Sequence, residues 1–352
     1  MRQATEGRAV YFRDQFEGTS GAGVIGLSSA VNVQLLIPGV DITIIADQFA
    51  TETTSDGAAG HFGILSERTN ADSKKLSRWT HDSFEWYHQL YMSEESNSAG
   101  VLRLFGYQLW SFKRPAPFHS KFDYTFRELS KKELQRLPGN HTYGWAQDSL
   151  MVECRRYLPW LLKKFKDKGG KIVRRRLNNI NEIGESYDVI VNCTGLGSRT
   201  LFNDKMMVPI RGHTIRAKAP WIKHFYIGGN GDTYIYPGQD NVVLGGTRQR
   251  GEECLKKDQK YFDDIIDRCC TLVPSLKHAD IEKLWVGLRP WRSTVRLEME
   301  VISINDRRLP VVHNYGHGSD GVCLSWGCGV DAAHLVKEQL GQTGAQQTLS
   351  KL

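Results

Sequence analysis

Three glycines are spaced Gly21-Ala22-Gly23-Val24-Ile25-Gly26 ahead of an apolar stretch, and an aspartate, Asp47, follows 21 residues beyond the third. That spacing suits the pyrophosphate and ribose of a dinucleotide. The glycines permit a tight turn and let phosphate approach the N-terminus of the next helix, while the acid accepts hydrogen bonds from ribose hydroxyls. Two other segments carry small residues where a ligand could enter. Tyr187-Asp188-Val189-Ile190-Val191-Asn192-Cys193-Thr194-Gly195 reads as a buried parallel strand with a small-residue end. Tyr315-Gly316-His317-Gly318-Ser319-Asp320-Gly321 reads as a glycine-rich loop, with a helix from about Asp331 through Leu340. The three segments together could enclose one extended ligand.

The elements that must hold these groups are partly visible. A helix is expected from the glycines through Leu35, where Pro38-Gly39 stops it, and Ile42-Thr43-Ile44-Ile45 is a β-branched strand that delivers Asp47. A dinucleotide unit also needs an apolar strand directly before its first glycine. Residues 13 to 20 read Arg-Asp-Gln-Phe-Glu-Gly-Thr-Ser, and the nearest candidate strand, Ala9-Val10-Tyr11-Phe12, lies further upstream than a short connection allows. Either the sheet is locally rebuilt there or this N-terminus is irregular.

A chain of 352 residues with 40% hydrophobic content buries a substantial core, and its length suggests roughly two domains. Stretches 61–145 and 201–285, rich in aromatics and alternating strands such as Thr233-Tyr234-Ile235-Tyr236, suit a strand-rich domain inserted into the first. The remainder, 1–60, 146–200 and 286–345, forms the dinucleotide-binding domain, and 346–352 forms a flexible tail. The expected class is α/β: a doubly wound, Rossmann-like domain with an interleaved, mostly antiparallel α+β partner.

The net charge of +7 points to anionic partners without choosing among them. The basic runs Lys163-Lys164-Phe165-Lys166-Asp167-Lys168 and Arg174-Arg175-Arg176 sit in no nucleic-acid motif and read as a solvated helix face and a strand edge. No nucleic-acid partner is expected. Seven cysteines without C-x-x-C or zinc-like spacing read as reduced, mostly buried thiols, so no metal is expected. No run of about 18 apolar residues suggests a membrane span. The last three residues, Ser350-Lys351-Leu352, form a receptor-read peroxisomal address, which makes an import receptor an expected partner.

Ordered runs along most of the chain carry a resemblance. They include Thr54-Ser55-Asp56-Gly57-Ala58-Ala59-Gly60, Tyr157-Leu158-Pro159-Trp160-Leu161, Val191-Asn192-Cys193-Thr194-Gly195-Leu196-Gly197-Ser198-Arg199 and Thr233-Tyr234-Ile235-Tyr236-Pro237-Gly238. They continue with Leu244-Gly245-Gly246-Thr247-Arg248-Gln249, Gly287-Leu288-Arg289-Pro290 and Arg308-Leu309-Pro310-Val311-Val312-His313. With these the chain resembles the D-amino-acid oxidase family.

The resemblance implies FAD as cofactor and a D-amino acid and oxygen as substrates, with 2-oxo acid, ammonia and hydrogen peroxide as products. It implies that Arg289 and Tyr234 hold the substrate α-carboxylate, a positional role that calls for no side-chain base. Arg248, with Ser319, matches the branch of the family that acts on acidic D-amino acids. Ile227 stands where that branch supplies a further arginine. For FAD, the resemblance implies contacts from Gly21, Gly23, Ile25, Gly26, Asp47, Thr53, Thr54, Ser55, Leu177, Thr194, Gly195, Gly318, Gly321, Val322 and Cys323. Cys323 replaces the usual hydroxyl residue, and His213 stands where the family favours glutamine. The alternatives are an oxidase of neutral D-amino acids, a silent variant unable to hold FAD because its first strand is disrupted, and, last, an NAD-dependent dehydrogenase.

Overall fold

The computed structural model describes residues 8–13, 22–64, 71–229 and 232–349. Gly21 and the tail Ser350-Lys351-Leu352 lie outside the described residues.

The strands are β1 Arg8–Arg13, β2 Asp41–Ala46, β3 Val101–Trp110, β4 Thr125–Glu128, β5 Tyr143–Val152, β6 Lys171–Arg174 and β7 Val189–Asn192. They continue as β8 Val208–Lys218, β9 Phe225–Gly228, β10 Thr233–Pro237, β11 Val242–Gly245, β12 Gln249–Arg250, β13 Asp280–Ile304 and β14 Arg307–His317. Helices α1 Val24–Leu36, α2 Ser73–Tyr91, α3 Ser96–Ala99, α4 Lys131–Leu134, α5 Cys154–Asp167, α6 Ser198–Leu201, α7 Gln259–Leu272 and α8 Gly321–Leu349 complete the elements. The strands form one hydrogen-bonded path, β4-β5-β3-β9-β10-β11-β8-β13-β14-β7-β1-β2-β6, with β12 on β8.

From β14 to β6 every pairing is parallel. A parallel sheet is covered on both faces, and the sequence obeys this: Ile42 through Ala46 and Val189 through Asn192 are buried without alternation. Helix α1 is buried nearly all round for the same reason, and it ends where Pro38 cannot continue it and Gly39 turns at φ 84°. Helix α2 instead shows one apolar stripe, Leu76, Trp79, Phe84, Tyr87 and Leu90, and Asp72 caps its N-terminus at 3.0 Å from both Lys74 N and Lys75 N.

The strand missing before Gly21 is β1. Ala9 aligns with Ile42 on one side and Val189 on the other, so Arg8–Arg13 holds the central place between β2 and β7. Its place follows from pairing with two neighbours, which the length of the connection to α1 does not reveal. The fold class read from the sequence is the one observed.

From β4 to β13 the pairings are antiparallel apart from β3 with β9. The 25-residue β13 joins the halves, pairing β8 with its first part and β14 with its second. Strands β5 and β13 both run across the segment limits drawn from the sequence.

One buried carboxylate ties the halves through side chains. Asp56, in a one-turn helix Thr54–Gly57 on the parallel side, receives Arg216 Nη1 from β8 at 3.1 Å, and both side chains are at most 5% exposed. Arg216 also donates to the Asp56 carbonyl. Lys283 of β13 stands 3.4 Å away and Arg155 of α5 3.8 Å away. Removing one partner of such a pair leaves a buried charge uncompensated. Asp56→Asn is expected to destabilise the chain by about 3–5 kcal/mol in urea unfolding, with part of the loss regained in Asp56→Asn/Arg216→Met. A loss below about 1 kcal/mol, the scale of an exposed pair, would show that this contact does not join the halves.

Candidate active site

The antiparallel half lays residues in a row across its strands. Gln108, Ile227, Tyr234, Gly245, Thr214 and Trp285 are successive partners on β3, β9, β10, β11, β8 and β13. Arg289 lies further along β13, paired with Ile210. All but Gly245 and Thr214 line one cleft, shared with Ile25, Thr54, Ser55, Gly195, Asn314 and the turn from Gly316 to Cys323. Its lining runs from Ile25 and Gly195 on the parallel side to Gln108 and Arg114 on the antiparallel side, so both halves of the sheet contribute to one cavity.

Two close approaches fix the side chains at its floor. A methyl group on Gly212 would stand 2.2 Å from Arg289 Nη1, and one on Gly245 would stand 2.0 Å from Tyr234 Cζ. Only glycine leaves room for guanidinium and phenol to lie flat on the sheet. Arg289 Nη1 donates to the Thr247 carbonyl at 3.1 Å, and its guanidinium also reaches the Tyr234 hydroxyl. Thr247 Oγ1 is held in turn by His213, 3.0 Å from its N and 2.7 Å from its Nδ1. Burial pushes the Tyr234 phenol up, opposed by the Arg289 charge, so Tyr234 stays a protonated donor at neutral pH. Burial, aided by Arg211, lowers His213 to about 4 and leaves it a neutral brace.

Other neighbours could not be read from the sequence. Tyr236 stacks on Tyr234 at 4.9 Å and on His61 at 5.0 Å, forming a ring column along the cleft. Gln108, Trp110, Arg114, His119 and Trp285 also line it. Burial lowers His61 to about 3 and His119 to about 4, so both are neutral imidazoles. Trp110 and Arg114 sit at and just beyond the end of β3, where the sequence shows only a strand running into a Lys-Arg-Pro loop.

On the parallel side, Ser55 Oγ accepts from Val24 N at 3.1 Å, bringing the Thr54-Ser55 turn onto the start of α1. Asp47 ends β2 with a buried Oδ1 that has no hydrogen-bond partner, and desolvation raises its pKa. Asn314 Nδ2 donates to Ser29 Oγ at 3.0 Å, and its buried Oδ1 is likewise without a hydrogen-bond partner. Gly195 lines the cleft at φ 55°. Cys323, at the start of α8, contacts the His61 carbonyl at 3.5 Å, and its thiol is pushed up to about 12 by burial, so it is no thiolate.

Of the residues singled out in the sequence, the structure brings Ile25, Thr54, Ser55, Gly195, Tyr234, Arg248, Arg289, Gly318, Ser319, Gly321, Val322 and Cys323 to the cleft wall. Gly23 caps α1, Gly26 is buried inside it, and Asp47 lies beyond the wall. Thr53 Oγ1 is bonded to the Ala50 carbonyl at 2.7 Å. Thr194 Oγ1 is bonded to Asn192 Oδ1 at 2.6 Å, and Leu177 packs beside Ile45 and Ile180. Both hydroxyls donate within the fold, and Leu177 contributes its side chain to a core cluster. Arg248 reaches the wall but is not free there: its Nε stands 2.5 Å from Asp232 Oδ1.

The family described as FAD dependent oxidoreductase matches residues 21–335. The chain is 42% identical to the D-aspartate oxidase of Homo sapiens over 90% of its own length and 93% of that protein's. It is 35% identical to a D-amino acid oxidase of Dugesia ryukyuensis, covering 91% and 97%. The chain belongs to the D-amino-acid oxidase family. Its cofactor is FAD, and it is a flavin oxidase. The glycine oxidase of Geobacillus kaustophilus shares the fold, with a TM-score of 0.75 at 19% identity over 94% of this chain and 95% of that one.

The residues present fit such a cofactor. Asp47 and Asn314 offer unpartnered buried acceptors, of which Asn314 lines the cleft and Asp47 lies just beyond its wall.

A polar chain runs from the cleft into the sheet. Gln108 Nε2 donates to Gln147 Oε1, and Gln147 Nε2 donates to Asp123 Oδ2 at 2.9 Å. Burial raises Asp123 to about 7 from an ordinary 3.8. The unfolded chain therefore loses this proton near pH 4 and the folded chain near pH 7, so the stability present below about pH 4 is lost as pH rises to about 7. Asp123→Asn stays neutral throughout, and its Tm relative to wild type is expected to rise between pH 5 and pH 8. Equal offsets at the two pH values would show that Asp123 ionises normally.

Proposed function

We propose that the chain oxidises D-amino acids, acidic ones in preference, to the 2-oxo acid, ammonia and hydrogen peroxide. The observation that carries this is Arg289 and Tyr234 side by side on the floor of the cleft. A guanidinium and a neutral phenol form a fork that a carboxylate accepts from both arms. Bound FAD supplies the acceptor for the α-hydrogen as hydride and passes the electrons to oxygen.

The chain's own residues orient the substrate. With the α-carboxylate on Arg289 and Tyr234, the α-carbon is fixed against the wall formed by the turn from Gly316 to Cys323. As the hydride leaves, the nitrogen lone pair completes the C=N bond, and water converts the imino acid to 2-oxo acid and ammonia. This asks for positioning, and the neutral His61 and His119 beside the site are consistent with the absence of a charged base. For the cofactor, Gly23 and Gly26 at α1, Thr54 and Ser55 would meet phosphates, Asp47 the ribose, and Gly195, Gly318, Gly321, Val322 and Cys323 the remaining length. The N-terminus of α8 would favour negative charge on a reduced ring.

Preference for acidic substrates is supported by the cleft's charge. Among the described residues, Arg114, Arg248 and Arg289 line it against one carboxylate, Asp320. A product as reactive as hydrogen peroxide agrees with the peroxisomal import expected from Ser350-Lys351-Leu352. The Arg248–Asp232 pair favours a second reading, oxidation of neutral D-amino acids, because it neutralises one of these cations.

The test is peroxide formation by the purified, FAD-supplemented protein from D-aspartate, D-glutamate and D-alanine. Both acidic substrates are expected to exceed D-alanine in kcat/KM, and Arg289→Leu is expected to lower all three by about a hundredfold or more. D-alanine as the preferred substrate would select the second reading. Absence of peroxide from every D-amino acid would refute the oxidase reading.

A further inference from the structure

The cleft holds two candidate cations for a substrate's second carboxylate, and they differ in what already holds them. Arg248 is met by Asp232 at 2.5 Å, so an incoming carboxylate must displace one that the chain itself supplies. Arg114, in the loop after β3, also lines the cleft, and no carboxylate pairs with it among the described residues. Its guanidinium lies 5.5 Å from the centre of the Trp110 ring. That ring holds a cation in place without cancelling its charge.

Trp110 adds a second observation. It is 4% exposed, lines the cleft, and its indole Nε1–H has no acceptor. Buried donors of this kind are normally satisfied. A cation without an anion and a donor without an acceptor thus occur side by side on one wall.

Their distance from the α-carboxylate fork sets the substrate's length. Gln108, Ile227 and Tyr234 are partners on adjacent strands, so β3 lies two strand spacings, roughly 10 Å, from β10. Trp110 is two residues beyond Gln108 and therefore on the same face of β3. Ile227 covers the interval with an apolar side chain that suits methylenes better than charge.

We infer that Trp110 and Arg114 form the subsite for the distal carboxylate, and that Asp232 keeps Arg248 from serving it. This rests on the oxidase reading and refines it: the substrate is a D-amino dicarboxylate whose side chain spans Ile227, and D-glutamate is preferred to D-aspartate. From the anchor on Arg289 and Tyr234, the longer acid reaches further toward Arg114 than D-aspartate does.

The experiment compares wild-type holoenzyme with Arg114→Gln and Arg114→Lys, each checked for full flavin content, on D-aspartate, D-glutamate and D-alanine, and measures glutarate binding by calorimetry. Wild type is expected to favour D-glutamate over D-aspartate. Arg114→Gln is expected to lower the D-glutamate to D-alanine ratio of kcat/KM by about tenfold or more, through KM, and to weaken glutarate to a similar extent, with Arg114→Lys between the two. A ratio and a glutarate affinity unchanged in Arg114→Gln, with collapse in Arg248→Gln, would overturn the subsite while leaving the oxidase reading intact. Glutarate binding requires no turnover. A protein that binds it through Arg114 yet makes no peroxide would therefore sink the oxidase reading and keep the subsite.

Discussion

The buried charge of Asp56 constrains the rest of the molecule. A carboxylate at 2% exposure persists as a charge only where cations reach it, and here they come from β8, β13 and α5. The turn that carries Asp56 also carries Ser55, whose hydroxyl accepts from Val24 N at the start of α1. One ion cluster therefore sets the spacing between the wall expected to hold the cofactor and the strands that bear Arg289 and Tyr234. A shift there would move the two sides of the cleft relative to each other, and hydride transfer is sensitive to displacements of that scale.

On the other side of the seam, the constraint is space. Gly212 and Gly245 give up side chains so that guanidinium and phenol can lie on the sheet, and Thr247, braced by His213, fixes the direction of the guanidinium. His213, with its Nδ1 at 2.7 Å from Thr247 Oγ1 and its pKa lowered by burial, braces that threonine as a neutral imidazole.

The sequence was most informative where geometry is local. The glycine run, the β-branched strand into Asp47 and the loop before α8 each follow from a short stretch of residue types, and the structure brings their ends to one cleft. Where partners are distant in the chain, local signals failed. The place of β1 depends on pairing with β2 and β7, and its separation from Gly21 concealed that. The resemblance places Thr53 and Thr194 beside the cofactor, and the structure adds that the hydroxyl of each is bonded within its own turn. Arg114 had no signal at all, because its significance comes from Trp110 four residues earlier and from a cleft lined by residues of five strands.

Arginine is abundant around the cleft, so the informative question is which arginines keep their charge available. Arg216 is consumed by Asp56, Arg292 by Asp204 and Arg248 by Asp232. Among the described residues lining the cleft, Arg289 and Arg114 have no carboxylate partner. An isolated cation facing a partly dry cavity is unfavourable, and two of them raise the local potential toward anions by mutual reinforcement. A ligand with one carboxylate relieves one of them, whereas a dicarboxylate of sufficient length relieves both. Selectivity then follows from the separation between the two cations as much as from their number, and that separation is set by the sheet that runs from β3, after which Arg114 lies, to β13, which carries Arg289, a frame that substitution at a single residue cannot change.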